Sequence, residues 1–195
     1  MAYPTVSAPY GFQPINRVDG MPYAGATRQI NISGSYNTAI YAGDLVKVVT
    51  GGTLEKFTGT TSGSPVGVFM GVQYVNALGQ VVQAQYYPGT SVTSAVAYVV
   101  DDPMAAFKVA VTDSSSVMSS AARAAIGSNM SVIQGTGSAT TGDSGQSVLA
   151  GSEATTDTLP IRVIDVVPAT ATGTDTFVEL VVKINLHQYN NTTGV

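Results

Sequence analysis

The stretch Leu45-Val46-Lys47-Val48-Val49-Thr50-Gly51-Gly52-Thr53-Leu54-Glu55-Lys56-Phe57 decides the fold class of this chain. Its two runs are rich in β-branched residues and flank a pair of glycines, a pattern that predicts a β-hairpin with a glycine-rich turn. Similar runs recur along the chain, and about ten strand candidates follow one another at the short spacing of a β-sandwich or β-barrel. We therefore predict a mainly β fold, built as a β-barrel or β-sandwich, with the jelly roll and other topologies left open.

The predicted β domain spans residues 27–187 and contains one helix candidate. The run Ala121-Ala122-Arg123-Ala124-Ala125-Ile126 follows two serines that can cap its start, and Gly127 supplies the stop. It covers about two turns, which is too short for a helix that stands alone. The strongly apolar run from Phe177 to Ile184 predicts a central strand, and residues 188–195 are predicted to be a polar C-terminal tail.

Residues 1–26 are predicted to form an extended N-terminal arm, because prolines at short intervals disfavour helix and favour extended backbone. Aromatic side chains alternate with these prolines and need an apolar surface to lie on. That surface belongs either to the chain's own barrel or to a neighbouring subunit, and the sequence leaves both alternatives open. The arm residues that we expect at such an interface are Tyr3, Pro4, Pro9, Tyr10, Phe12, Pro14 and Tyr23.

The composition argues against several classes of partner. Only 10% of the residues are charged, the formal net charge is −4, and the eight basic residues are scattered rather than clustered. A groove for nucleic acid needs many basic residues, so we expect no nucleic-acid partner. No apolar run is long enough to span a bilayer and the N-terminus does not resemble a signal peptide, so we expect no membrane partner. The absence of cysteine excludes disulfides and thiolate metal sites.

Two short motifs could suggest chemistry, and both are better explained by structure. Gly142-Asp143-Ser144-Gly145 matches the nucleophile motif of chymotrypsin-like proteases, but the only histidine, His187, follows the serine instead of preceding it. In Asp101-Asp102-Pro103, adjacent carboxylates on a strand point to opposite faces and do not readily share one cation. We therefore predict that the chain is not an enzyme and has no catalytic residues, metal site or cofactor.

Four stretches carry a resemblance to known proteins. They are Ser7-Ala8-Pro9-Tyr10-Gly11-Phe12-Gln13-Pro14, Tyr41-Ala42-Gly43-Asp44-Leu45-Val46, Pro65-Val66-Gly67-Val68-Phe69-Met70-Gly71-Val72-Gln73-Tyr74 and Val99-Val100-Asp101-Asp102-Pro103-Met104-Ala105-Ala106-Phe107. Together they resemble virion structural proteins of marine and freshwater tailed bacteriophages, cyanophage-like ones included, and small phage head decoration proteins. The resemblance implies a capsid decoration or cement protein that forms a homotrimer and binds the major capsid protein on the outer surface of the virion.

Two functional hypotheses follow from the sequence. In the first, the chain is a structural virion protein that binds the exterior of the phage head and cements the capsid lattice, because a protein that binds only the assembled lattice stabilises that state. In the second, it is the base of a head fibre or a tail β-module that faces a host receptor or glycan. A third hypothesis is an enzyme, but the sequence contains no paired acid and base that would support it.

Overall fold

The fold is described by a computed structural model that covers residues 8–112, 122–173, 177–191 and 194, and the statements below concern these residues. They are mainly β, in closed or nearly closed sheets, which confirms the predicted fold class. The strands are β1 (Gln13–Arg17), β2 (Arg28–Ile32), β3 (Ile40–Tyr41), β4 (Leu45–Val49), β5 (Thr53–Lys56), β6 (Gly67–Asn76), β7 (Val81–Ala84), β8 (Tyr86–Tyr87), β9 (Val92–Val100), β10 (Ala105–Thr112), β11 (Asn129–Met130), β12 (Val132–Ile133), β13 (Ser147–Leu149), β14 (Ile161–Val166) and β15 (Glu179–Ile184).

The middle of the chain forms a small closed barrel. Its strands follow the order β4-β5-β2-β9-β6, and β6 pairs again with β4 to complete the ring. We call these five strands, together with β7 at the edge of β6, the inserted barrel. The predicted hairpin is the pair β4–β5, whose turn uses Gly51 and Gly52 with φ of +100° and +75°, values that glycine adopts at little cost. The buried core of this barrel comprises Ile32, Ile40, Val46, Leu54, Val66, Phe69, Val72, Tyr87, Ala95, Ala97 and Val99.

The two ends of the chain form a second sheet with the order β11-β14-β15-β10-β13-β12, in which β1 also pairs with β10. We call it the terminal sheet, because β1 precedes the inserted barrel and the other strands follow it. Strand β15 lies between β14 and β10, which confirms the central strand predicted from its apolar run. The large side chains in its separate core include Phe12, Phe57, Phe107, Met130, Ile161 and Leu180.

The inserted barrel leaves and rejoins the terminal sheet at one place. Arg17 ends β1, and its guanidinium lies 2.8 Å from the carboxylate of Asp102, which stands just before β10. The backbone N–H of Val18 donates to the carbonyl of Met104 at 2.8 Å. The entry and exit segments of the insertion are therefore fastened to each other.

Three predicted segments differ in detail from the expectation. The short helix is a 3-10 turn, Ala122–Ala125, because Ala122 and Ala125 alone turn inward and Gly127 ends it with φ of +88°; its proposed serine caps lie outside the described residues. Part of the predicted N-terminal arm is strand β1, which lies on the chain's own sheet. The predicted polar tail contains a second such turn, Gln188–Asn190, and a third, Pro168–Thr170, precedes β15. Among the described residues, no helix has the length and apolar character needed to cross a membrane.

Candidate functional site

The most chemically distinctive group of side chains surrounds Asp44, which is fully buried between the inserted barrel and the loop before β13. Its Oδ2 accepts the backbone N–H of Tyr41 at 2.9 Å and lies 2.9 Å from the Nζ of Lys56. Its Oδ1 accepts the hydroxyl of Ser144 at 2.6 Å. A buried carboxylate is costly unless it is paired and hydrogen-bonded, and here both oxygens have partners.

A second buried side chain, Gln146, extends this group. Its Oε1 accepts the backbone N–H of Leu45 at 2.8 Å, and its Nε2 donates to the Oε1 of Gln134 at 2.7 Å and to the carbonyl of Phe57. The amide therefore satisfies backbone groups of the inserted barrel from a loop of the terminal sheet. We call Asp44, Lys56, Ser144 and Gln146 the junction cluster.

The N-terminal segment passes directly over the junction cluster. The N–H of Phe12 donates to the carbonyl of Gly43 at 2.8 Å, and the N–H of Gly11 donates to that of Gln146 at 3.2 Å. Gly11 has φ of +80°, and a Cβ at this position would lie 2.6 Å from both the carbonyl oxygen of Gly43 and the Cβ of Ser144. Only glycine fits so close an approach in this backbone conformation.

The protease-like motif thus has structural contacts in this fold. The hydroxyl of Ser144 donates to Asp44 and also accepts the N–H of Gln146 at 2.9 Å, while the side chain is buried. The Nδ1 of His187 accepts the N–H of Tyr189 at 3.2 Å and so caps the C-terminal turn. Ser144 and His187 therefore have different hydrogen-bond partners. Ser144 links the two sheets, and His187 caps a turn.

The paired aspartates after β9 also act separately. The carboxylate of Asp102 accepts the N–H of Met104 at 2.8 Å and pairs with Arg17. That of Asp101 lies 3.1 Å from the guanidinium of Arg28 and accepts the hydroxyl of Tyr189 at 2.8 Å. Within the described ranges, no group of three or more potential metal ligands comes together.

Four of the predicted arm residues contact the chain's own terminal sheet: Tyr10, Phe12, Pro14 and Tyr23. Phe12 belongs to its core, and the hydroxyl of Tyr10 donates to the carboxylate of Glu179. Lys108 lies 3.0 Å from that carboxylate and 5.5 Å from the centre of the tyrosine ring. Burial, and then the bond to Glu179, raise the pKa of Tyr10 far above its ordinary value. The other predicted interface residues are Pro9, Pro14 and Tyr23, all half-buried, and Tyr3 and Pro4, which lie outside the described residues.

Sequence reasoning missed the role of the C-terminal tail, which crosses from the terminal sheet to the inserted barrel. Gln188 accepts the N–H of Val48 at 2.9 Å and donates to its carbonyl at 2.7 Å, as a neighbouring strand would. Tyr189 contacts Arg28 and Asp101. The Nε2 of buried His187 has no hydrogen-bond partner within the part of the chain that the structure describes, and burial lowers the pKa of its imidazole. In the sequence, the only signal for such contacts was the presence of Gln, Tyr and His side chains in the tail.

An open groove lies between the tail and β2, with a volume of about 480 Å³. Amide groups of Gln29, Asn31 and Gln188 and the half-exposed ring of Tyr189 line much of it. Amides and aromatic rings of this kind bind neutral polar ligands by hydrogen bonding and stacking. The groove is therefore a described surface that has the chemistry to bind such a ligand.

Comparison of the chain with models of protein families, with curated proteins and with solved structures finds no match.

Proposed function

We propose that this chain is a structural virion protein that binds the exterior of a tailed-phage head and stabilises the capsid lattice. Its partners in this proposal are the major capsid protein and further copies of itself, assembled as a homotrimer on the outer capsid surface. The work of such a protein is thermodynamic. A protein that binds the expanded lattice better than other states shifts the equilibrium toward that lattice.

The observation that carries the proposal is that the stretches with the phage-like resemblance meet one another around the junction cluster. Phe12 donates to Gly43, and Gly43 donates to Phe69 at 2.8 Å. Val68 lies opposite Val100 in the pairing of β6 and β9. The resemblance therefore concerns residues that join the two sheets, which supports a shared architecture with decoration proteins beyond isolated turn patterns.

The use of ionisable groups also supports a structural role. The buried carboxylates of Asp44 and Glu179 each have a lysine and a hydroxyl as partners. The Asp44 group joins the two sheets, and the Glu179 group stabilises the terminal sheet. Many weak contacts add up on a lattice, because a ligand at about 100 times its dissociation constant contributes roughly 2.7 kcal/mol per site.

The test uses particles of the phage that encodes the chain. Purified protein is mixed with expanded heads lacking it and with unexpanded procapsids, and co-sedimentation measures binding. We expect strong binding to expanded heads, weak binding to procapsids, and DNA release at a higher temperature from particles that carry the protein. Binding to neither particle would refute the proposal. Binding without a change in release temperature would reduce the function to decoration.

The groove beside β2 favours one alternative, a head-fibre base or tail module that faces a host glycan. If that alternative holds, replacing Gln29 and Asn31 by alanine lowers adsorption of virions to host cells and leaves the DNA-release temperature unchanged. Both residues are exposed, so the double variant should fold normally, and circular dichroism serves as the control. Unchanged adsorption would remove this alternative.

A further inference from the structure

A long central segment of the chain carries no charge. The chain has 12 acidic and 8 basic residues, and all 20 lie outside residues 57–100. An average protein has about one charged residue in four, so a segment of this length would ordinarily contain roughly ten. The segment supplies strands β6 to β9, and hence much of the surface of the inserted barrel as well as its core.

Three of these strands form a sheet with two different faces. We call residues 71–84 and 92–98 the wing; they include most of β6, all of β7 and most of β9. The inward side chains, such as Val72 and Ala97, belong to the barrel core. Because successive side chains in a strand alternate between faces, the residues between them form an outer face. That face comprises Gln73, Val75, Val81, Gln83, Ser94, Val96 and Tyr98.

The turn at the end of the wing holds apolar side chains in solvent. Leu78 is 82% exposed and Val81 is 63% exposed, the highest values among the large apolar residues described. The side-chain oxygen of Asn76 accepts the N–H groups of Leu78 and Gln80 at 2.9 and 3.0 Å, which fixes the turn. Strand β7 is the last strand of its sheet, so its outer edge has no neighbouring strand within the described residues.

We infer that the wing is the surface through which copies of this chain associate around the axis of the trimer, with the Leu78 turns in contact at that axis. The charge distribution selects this partner. All 20 charged residues of the chain lie outside the wing and together carry a net charge of −4, so a contact between identical charged surfaces brings like charges together. The wing is a surface on which copies can meet without that repulsion. The exposed leucine and valine supply apolar area for this contact.

This inference deepens the proposed function, since it assigns a surface to the self-association that the proposal includes. It also predicts how a charge placed at position 78 changes the association. A charge of either sign at position 78 faces the same charge on the next copy, so both signs weaken association. Opposite signs on the two copies attract.

The experiment compares Leu78→Asp, Leu78→Lys and their equimolar mixture by sedimentation velocity at micromolar concentration. The wild-type chain should associate, and each variant alone should dissociate with a dissociation constant raised roughly a hundredfold, because like charges across an interface repel strongly. The mixture should recover most of the association. Because position 78 is an exposed turn residue, both variants should keep the wild-type circular dichroism and melting temperature.

A cross-linking experiment gives an independent readout in a chain that has no cysteine of its own. Leu78→Cys should form covalent dimers with a short bis-maleimide, and the exposed control Thr155→Cys should not. A monomeric wild-type chain, full association of both charged variants, or a mixture that stays dissociated would overturn the inference. Its failure is distinguishable from failure of the proposed function, because a monomer that binds expanded heads refutes only the inference, and an oligomer that binds no head refutes only the function.

Discussion

The substitution Asp44→Asn tests whether the junction cluster holds the two sheets together. In the folded chain the Asp44 carboxylate accepts from Tyr41 and Ser144 and pairs with Lys56, whose side chain is 12% exposed. Asparagine has one oxygen for these donors, and its NH₂ group faces at least one of them. Lys56 then keeps its charge in a largely buried position without a carboxylate.

The expected loss follows from these contacts. Removing one partner of a buried ion pair costs about 3–5 kcal/mol, because the remaining charge is left uncompensated. That is a large part of the roughly 5–15 kcal/mol that stabilises a typical domain. For a chain of this size, each kcal/mol lowers the melting temperature by about 2–4 °C. We therefore expect Asp44→Asn to melt about 6–20 °C below the wild type.

A double-mutant cycle with Lys56→Met separates the ion pair from general disruption of packing. Urea unfolding followed by circular dichroism gives the free energy of unfolding for the wild type, for both single variants and for Asp44→Asn/Lys56→Met. We expect the double variant to lose less stability than the sum of the two single losses, because it leaves no unpaired charge. A loss below about 1 kcal/mol for Asp44→Asn, or strict additivity in the cycle, would refute the reasoning.

Three further predictions concern other contacts of the same fold. Gly11→Ala should destabilise the chain by roughly 2–5 kcal/mol through positive φ and overpacking, whereas the control Gly25→Ala, with φ of +76° and open space around it, should cost only about 1 kcal/mol; equal melting temperatures would contradict this. His187 has a lowered pKa in the fold, so its contribution to stability is complete above the ordinary value of 6.5 and is lost as pH falls below it. The slope of the unfolding free energy against pH should reach up to about 1.4 kcal/mol per pH unit, and it should diminish in His187→Asn, which retains a cap acceptor. An unchanged slope in this variant would show that other groups cause the pH dependence. Tyr10→Phe removes the hydroxyl that Glu179 accepts and should cost about 1.5–3 kcal/mol in urea unfolding; no loss would mean that the lysine alone satisfies the carboxylate.

Much of the fold could be predicted from local patterns. The hairpin of β4 and β5 was predictable because β-branched runs and a Gly-Gly turn act over a few residues. The central position of β15 was predictable because a strand buried by neighbours on both sides needs a continuous apolar run. The helix candidate was harder, since alanine-rich runs favour helix but six residues are too few to form a stable one.

The candidate site and the division of the chain into two sheets could not be predicted in the same way. Asp44 and Ser144 lie 100 positions apart in the sequence, and nothing near either residue indicates the other. The N-terminal arm posed the same difficulty. Its prolines predicted extended backbone, but whether Phe12 packs on its own sheet or on a neighbour depends on a core whose members, such as Leu45 and Val182, are far from it in the sequence.

The N-terminal and C-terminal segments both attach the inserted barrel to the terminal sheet. Because β1 and β10 flank the inserted barrel, the terminal sheet is complete only when residues from both sides of the insertion have paired. The N-terminal segment then contacts the barrel at Gly43, and the C-terminal tail contacts it at Val48, on either side of β4 residues 45–47. The barrel is thereby fixed at three places: its connections, the junction cluster and the tail. A barrel fixed in this way presents the uncharged wing in a defined direction, which is the property that a self-associating surface requires.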